Sequence, residues 1–124
     1  MKALSVQQPF AEQIREGAKR VELRTWATKH RGPLLICAGK GGSGHGPRGV
    51  TRVVVDVVDC RPAVPGDATL VVDRTPAQLH ALCSDAAARG RVLYAWVLAS
   101  PRPTSPLPVV GKLGLFDVPG FGLV

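Results

Sequence analysis

A small barrel-like α+β domain is the fold class this sequence predicts. Three observations lead there: many short strand-like segments, only two clear helical segments, and no regular strand–helix repeat of the kind that builds a parallel sheet. The length of 124 residues suits one domain spanning 1–124, with room for one real core. Only three Phe, two Trp and one Tyr are present, so that core must be mostly aliphatic.

The elements follow in order. Ala3 to Val6 reads as a short strand, and Pro9 can occupy the first turn of a helix, where its missing amide hydrogen is not needed. Phe10, Ala11 and Ile14 give that helix its apolar face, and Gly17 suits its end. Lys19 to Arg24 alternates as a strand, with Val21 and Leu23 on one side and Arg20, Glu22 and Arg24 on the other. Leu34 to Ala38 is a buried strand. The stretch GKGGSGHGPRG, residues 39–49, has six Gly and one Pro and is expected to be a flexible connection or a flap over a site. It lacks the GxxxxGK[ST] order of a phosphate loop.

Thr51 to Cys60 is a Val-rich strand, and Pro62 to Asp67 a turn-rich connection. Thr75 caps a second helix with Pro76 in its first position, Leu79, Leu82 and Ala86 facing inward, and Gly90 beyond its end. Val92 to Ala99 is the strongest strand. The proline-rich Pro101–Pro108 segment is incompatible with a central strand and is expected along an edge. Val109-Val110 and Leu113 to Val118 offer further strand material around Gly111 and Gly114.

The formal net charge of +7 is unevenly distributed. Residues 1–52 carry ten Lys/Arg against three Glu, whereas residues 53–124 carry six against six Asp. A one-sided positive field favours phosphate-bearing partners, although it also serves solubility. No apolar run reaches membrane-spanning length, and the Met1–Phe10 start lacks an export signal, so a cytoplasmic location and no membrane partner are expected. Cys37, Cys60 and Cys83 form no CxxC pair and are expected as reduced thiols; with His30, His45 and His80 dispersed, no metal or cofactor is implied.

The candidate site lies in GAKRVELRTW, residues 17–26. Lys19 suits a phosphate contact, or a base if desolvation lowers its pKa. Arg24 offers a planar fork for a phosphate, a carboxylate or guanine, and Glu22 on the same face can orient it or accept from a base amino group. The alternative is a surface salt bridge worth about 0–1 kcal/mol. Trp26 either stacks on a base or caps the core. Trp96, sharing a strand face with Tyr94, either packs the core or walls the pocket; Gln8 either touches ligand or caps the turn. Lys112 and Arg31, each beside a glycine, are candidate phosphate contacts, while Lys29 and Arg48 read as surface charge. Ser5, Thr25, Thr28 and Ser100 supply hydroxyls, yet none lies in an elbow or triad motif.

Residues 4–40 carry Gln8-Pro9, then GxKxxExR as Gly17, Lys19, Glu22 and Arg24, then Trp26 and Arg31-Gly32; VVDVVDC, YAWVLASPRP and VVGKLGLFDVP follow. In that order they resemble the ASCH domain, the activating signal cointegrator homology module, across nearly the whole chain. The resemblance implies a PUA-like β-barrel of about six strands with two or more short flanking helices. Its cleft would lie where the first helix meets GxKxxExR. It also implies an association with nucleic acid, RNA or DNA, and some members are a ribonuclease or an amidohydrolase removing acetyl groups from modified cytidine. The amidohydrolase branch carries threonine where this chain has Glu22, and Thr25 would face away in a regular strand. Three functional readings result: a nucleic-acid or modified-nucleotide binding module; a small hydrolase with Lys19, Glu22 and Arg24 as catalytic groups; or a protein-docking domain using Pro101–Pro108. A monomer or weak homodimer fits each.

Overall fold

The computed structural model describes residues 1–121. Six strands form one mixed sheet: β1 (Lys2–Gln8), β2 (Val21–Arg24), β3 (Gly32–Gly42), β4 (Val50–Pro62), β5 (Tyr94–Pro103) and β6 (Leu115–Asp117). Three helices accompany them: α1 (Phe10–Arg15), α2 (Ala68–Val71) and α3 (Pro76–Ala88). The strand order is β2-β5-β4-β3-β1-β6, with β1 and β3 parallel and the remaining pairs antiparallel.

Period-two alternation decides which side chains meet. Leu34, Ile36 and Ala38 of β3 join Val53, Val55 and Val57 of β4, Leu4 and Val6 of β1, Trp96, and Ala11 and Ile14 of α1 in the main core. Leu35 and Cys37 point through the opposite face to Ala3 and Phe116. Outside the β2–β5 edge, Val21 and Ala95 pack against Val71 of α2 and Leu79 of α3. Burial in that second face pushes the Cys37 thiol up to about 11, as an inert core residue requires.

Several expectations need correction. The sheet is not closed: β1 and β2 share no ladder, so a complete barrel is absent among the described residues. Pro101 to Pro103 belong to β5, and Arg102 and Pro103 pair with β4. Proline fits there because four-residue β2 covers only Tyr94 to Val97, leaving the far half of β5 with one neighbour. The residues after Pro62 contain a 3-10 turn at Pro65–Asp67 and then α2, held where Arg61 grips Asp67 at 2.7 and 2.9 Å. Val109-Val110 is not strand, and β6 is confined to Leu115–Asp117. Finally, β3 runs into the glycine-rich stretch as far as Gly42, and Arg48 donates to the carbonyls of Gly41, Gly44 and Gly46, folding the rest onto itself.

Candidate functional site

The site follows from the open seam. In a flat sheet four strand spacings would place β2 about 19 Å from β1. Instead Arg24 Nη2 reaches the Ser5 carbonyl at 2.9 Å, so the sheet curls until a side chain spans the gap that backbone bonds leave. A cleft of about 930 Å³ opens along this seam.

Helix α1 sets its inner wall. Gly17, at φ +83°, turns the chain out of the helix, and the Lys19 amide donates back to Gln13 O at 3.0 Å. Lys19 thereby leaves the helix end pointing inward, only 4% exposed. Its Nζ donates to Val71 O at 3.2 Å, lies 3.7 Å from Glu22 Oε1 and sits 5.2 Å from the centre of the Phe10 ring. Burial draws its pKa below the ordinary lysine value; Glu22 opposes that shift and Arg74 adds to it. The acceptor belongs to a strained turn, for Val72 lies at φ +67°, a region that costs a β-branched residue about 1–3 kcal/mol.

Glu22 is the hub. Its Oε2 accepts from Arg24 Nε at 3.3 Å and Nη2 at 2.9 Å, and the residue is only 6% exposed. Arg24 therefore spends Nε and Nη2 on Glu22 and Ser5, while Nη1 makes no hydrogen bond among the described residues and the side chain lines the cleft. Trp26 packs against the main core and stands at the cleft as well. It meets Trp96 edge to face at 4.8 Å.

The other candidates separate. Trp96 is fully buried opposite Glu22 in the ladder, and its indole N–H donates to Trp26 O at 3.2 Å, so it supports the site from within the core. Gln8 is buried and committed to structure: Oε1 accepts from the Glu12 amide, while Nε2 donates to Glu12 and to Pro47 O. Arg31 stands away from the cleft, bonding Thr28 O and His30 O and facing Asp59 at 3.8 Å. Lys112 lies on the rim. Thr25 also lines the cleft, because β2 ends at Arg24 and the chain bends there.

Sequence reasoning missed Lys40 and Arg74 on the rim, and the Val71 carbonyl. Lys40 carried a signal, being the one cation inside the glycine run before Arg48; the carbonyl carried none. In all, Lys19, Arg24, Lys40, Arg74 and Lys112 line the cleft against the single carboxylate of Glu22. Among the described residues no group of three or more His, Cys, Asp or Glu is placed to hold a metal ion.

The same residues agree with a family pattern, since the model of the ASCH domain matches residues 4–102. The chain belongs to the ASCH domain family. No curated protein matches it. The ASCH protein of Zymomonas mobilis has a similar crystal structure, with a TM-score of 0.71, 13% identity, and coverage of 94% of this chain and 86% of that one. Two mutants of the same protein give TM-scores of 0.69 at 14% identity, with coverage of 94% of this chain and 88% and 87% of theirs. At such identities the likeness concerns the fold, and it agrees with the α+β architecture of this ASCH domain. No helix among the described residues is long and apolar enough to cross a membrane.

Proposed function

We propose that this ASCH domain binds nucleic acid or a modified nucleotide, holding one unpaired base between Trp26, Phe10 and the Glu22–Arg24 pair. The observation that carries the reading is the cleft's composition, five cations to one carboxylate beside two aromatic rings. Glu22 already engages Lys19 and Arg24, whereas Lys40, Arg74 and Lys112 have no ion-pair partner among the described residues and are exposed. Three free rim cations suit phosphates, and an aromatic wall suits a base face. A salt-dependent titration against single-stranded RNA, matching DNA, duplexes and nucleosides tests this. Single strands should bind with a log–log salt slope of about −2, from three cations at about 0.7 each. No binding to any of them at low salt would sink the reading.

A second reading, a small hydrolase acting on RNA or a modified nucleoside, is favoured by one observation: burial lowers the Lys19 pKa, as a general base requires. Ser5 and Thr25 supply hydroxyls on the cleft lining. Mass analysis of the ligands recovered from the titration separates the two readings. Ligands returned intact at every time point leave binding alone; a mass change that Lys19→Met abolishes makes the domain an enzyme.

A further inference from the structure

The cleft has two chemically different ends. One holds Lys19, Glu22, Arg24 and the aromatic rings; the other is floored by Gly39, Gly41 and Gly111 between Lys40 and Lys112. None of these three glycines has a positive φ, so backbone conformation alone would admit other residues. Space is the constraint. A Cβ on Gly39 would stand 3.1 Å from Ser5 Oγ, one on Gly41 3.2 Å from Gln7 Nε2, and one on Gly111 3.0 Å from Ser5 Oγ.

Gly111 is brought there by the strap that follows Pro108. Pro108 bridges to Val50, and the Val109 amide donates to Gly49 O at 3.0 Å, which fixes the strap against the start of β4. The next residues then pass over Ser5. Arg24 occupies the Ser5 carbonyl, which leaves the hydroxyl to the groove. The result is a trough lined by glycine backbone, the Ser5 hydroxyl, the Gln7 side chain and the ammonium groups of Lys40 and Lys112. The glycines let the Ser5 hydroxyl and the Gln7 amide lie close against the backbone, where both can donate to a tetrahedral anion, and the Lys40 and Lys112 ammonium groups serve as point charges for it. The volume supports an extended ligand, since about 930 Å³ is at the upper end of the range for a whole drug-sized molecule.

We propose that this glycine-floored trough is a second subsite that receives the phosphodiester adjoining the base held at the Glu22–Arg24 end. The smallest complete ligand is then a dinucleotide and not a nucleoside. The proposal rests on the nucleic-acid reading above and narrows it.

Amide-resolved NMR titrations of the whole chain at low salt test it, using the four nucleosides, the four matching homodinucleoside monophosphates, their deoxy counterparts, and inorganic phosphate. The dinucleoside monophosphates should bind at least about tenfold more tightly than the nucleosides. Only they should shift the amides of Gly39, Gly41 and Gly111. In Gly111→Ala, and separately in Lys40→Ala with Lys112→Ala, the ratio of the two affinities should fall to within about twofold, with thermal unfolding tracked to show that the fold persists. Nucleosides that bind at the Arg24 end as tightly as dinucleotides would overturn the subsite and leave the base-binding reading standing. Inorganic phosphate that matches the dinucleotides in affinity and in glycine shifts would reduce the trough to a plain anion site. If no nucleoside or dinucleotide binds, both the subsite and the reading beneath it fall.

Discussion

Replacing Glu22 by glutamine removes one charge and almost no volume. In the folded domain its carboxylate, 6% exposed, accepts two bonds from Arg24 and lies 3.7 Å from the Lys19 ammonium. Arg24 stays cationic, so its bonds to the glutamine oxygen remain charge-assisted on the donor side and lose only the attraction of the acceptor charge, about 1–2 kcal/mol together. The Lys19 attraction at that distance is about 4 kcal/mol gross at an effective dielectric of about 20, but Lys19 can release its proton and so limit the loss. A net destabilisation of about 2–4 kcal/mol results, in line with the breaking of other buried pairs. Urea unfolding of wild type, Glu22→Gln, Arg24→Ala and the double mutant measures both the loss and the coupling. A loss under about 0.5 kcal/mol with no coupling would show a solvated surface bridge and refute the reasoning.

Three further outcomes follow from the same geometry. Glu12 is held below the usual carboxylate range chiefly by its hydrogen bonds from Arg52, at 2.6 and 2.9 Å. Its stabilisation is therefore complete above the unfolded value of about 4.3 and disappears as pH falls through the lower folded value. Arg52→Met should cost about 2–4 kcal/mol at neutral pH and progressively less in acid, read from melting temperature against pH; a constant difference would contradict the pairing. Lys19 has the opposite sign, a base whose folded pKa is lowered. Stability should rise with pH from that value to about 10.4, and Lys19→Met should flatten the rise in alkaline denaturation curves, whereas an unchanged slope would place the ammonium in water. Gly42 lies at φ +92°, and a Cβ there would come within 2.2 Å of Gln8 O. Gly42→Ala should lose about 2–4 kcal/mol, combining backbone strain with a displaced strand end; a near-neutral change would mean that the β1–β3 pairing at Gln8 is dispensable.

What was legible in the sequence was what local signals control. Thr75 and Gln78 form the reciprocal cap of α3 at 3.1 and 2.8 Å, and such a cap reads directly from residue types and spacing. The shared face of Glu22 and Arg24 likewise needed only the two-residue period of a strand. Contacts over longer separations were not legible. Helix α2 is only four residues long and starts beside Asp67, which is buried where Arg61 meets it, so no local propensity announces it. Arg52, one of the ten cations in residues 1–52, is only 7% exposed, because Glu12, forty residues earlier, turns its carboxylate toward it. The role of Trp96 was open until the ladder placed it opposite Glu22, with its ring in the main core.

The brevity of β2 links the architecture to the proposed recognition. Four residues cannot cover β5, so the sheet keeps an open side, and prolines occupy the part of β5 that has no second neighbour. The ladder that would have closed the seam is replaced by one guanidinium, Arg24, fixed on Glu22 and on the Ser5 carbonyl. A group held by partners from two strands loses little further freedom when a ligand meets its remaining N–H donors, which is the condition for preorganised recognition. Closing the sheet would satisfy the backbone groups of β2 and of β1 beyond Leu4, where β6 no longer pairs with it, but would remove the space where Lys19, Glu22 and Arg24 can face anything except one another. The unpaired seam is thus the structural cost of the proposed site, and the Lys19–Glu22–Arg24 ion pairs lie along it.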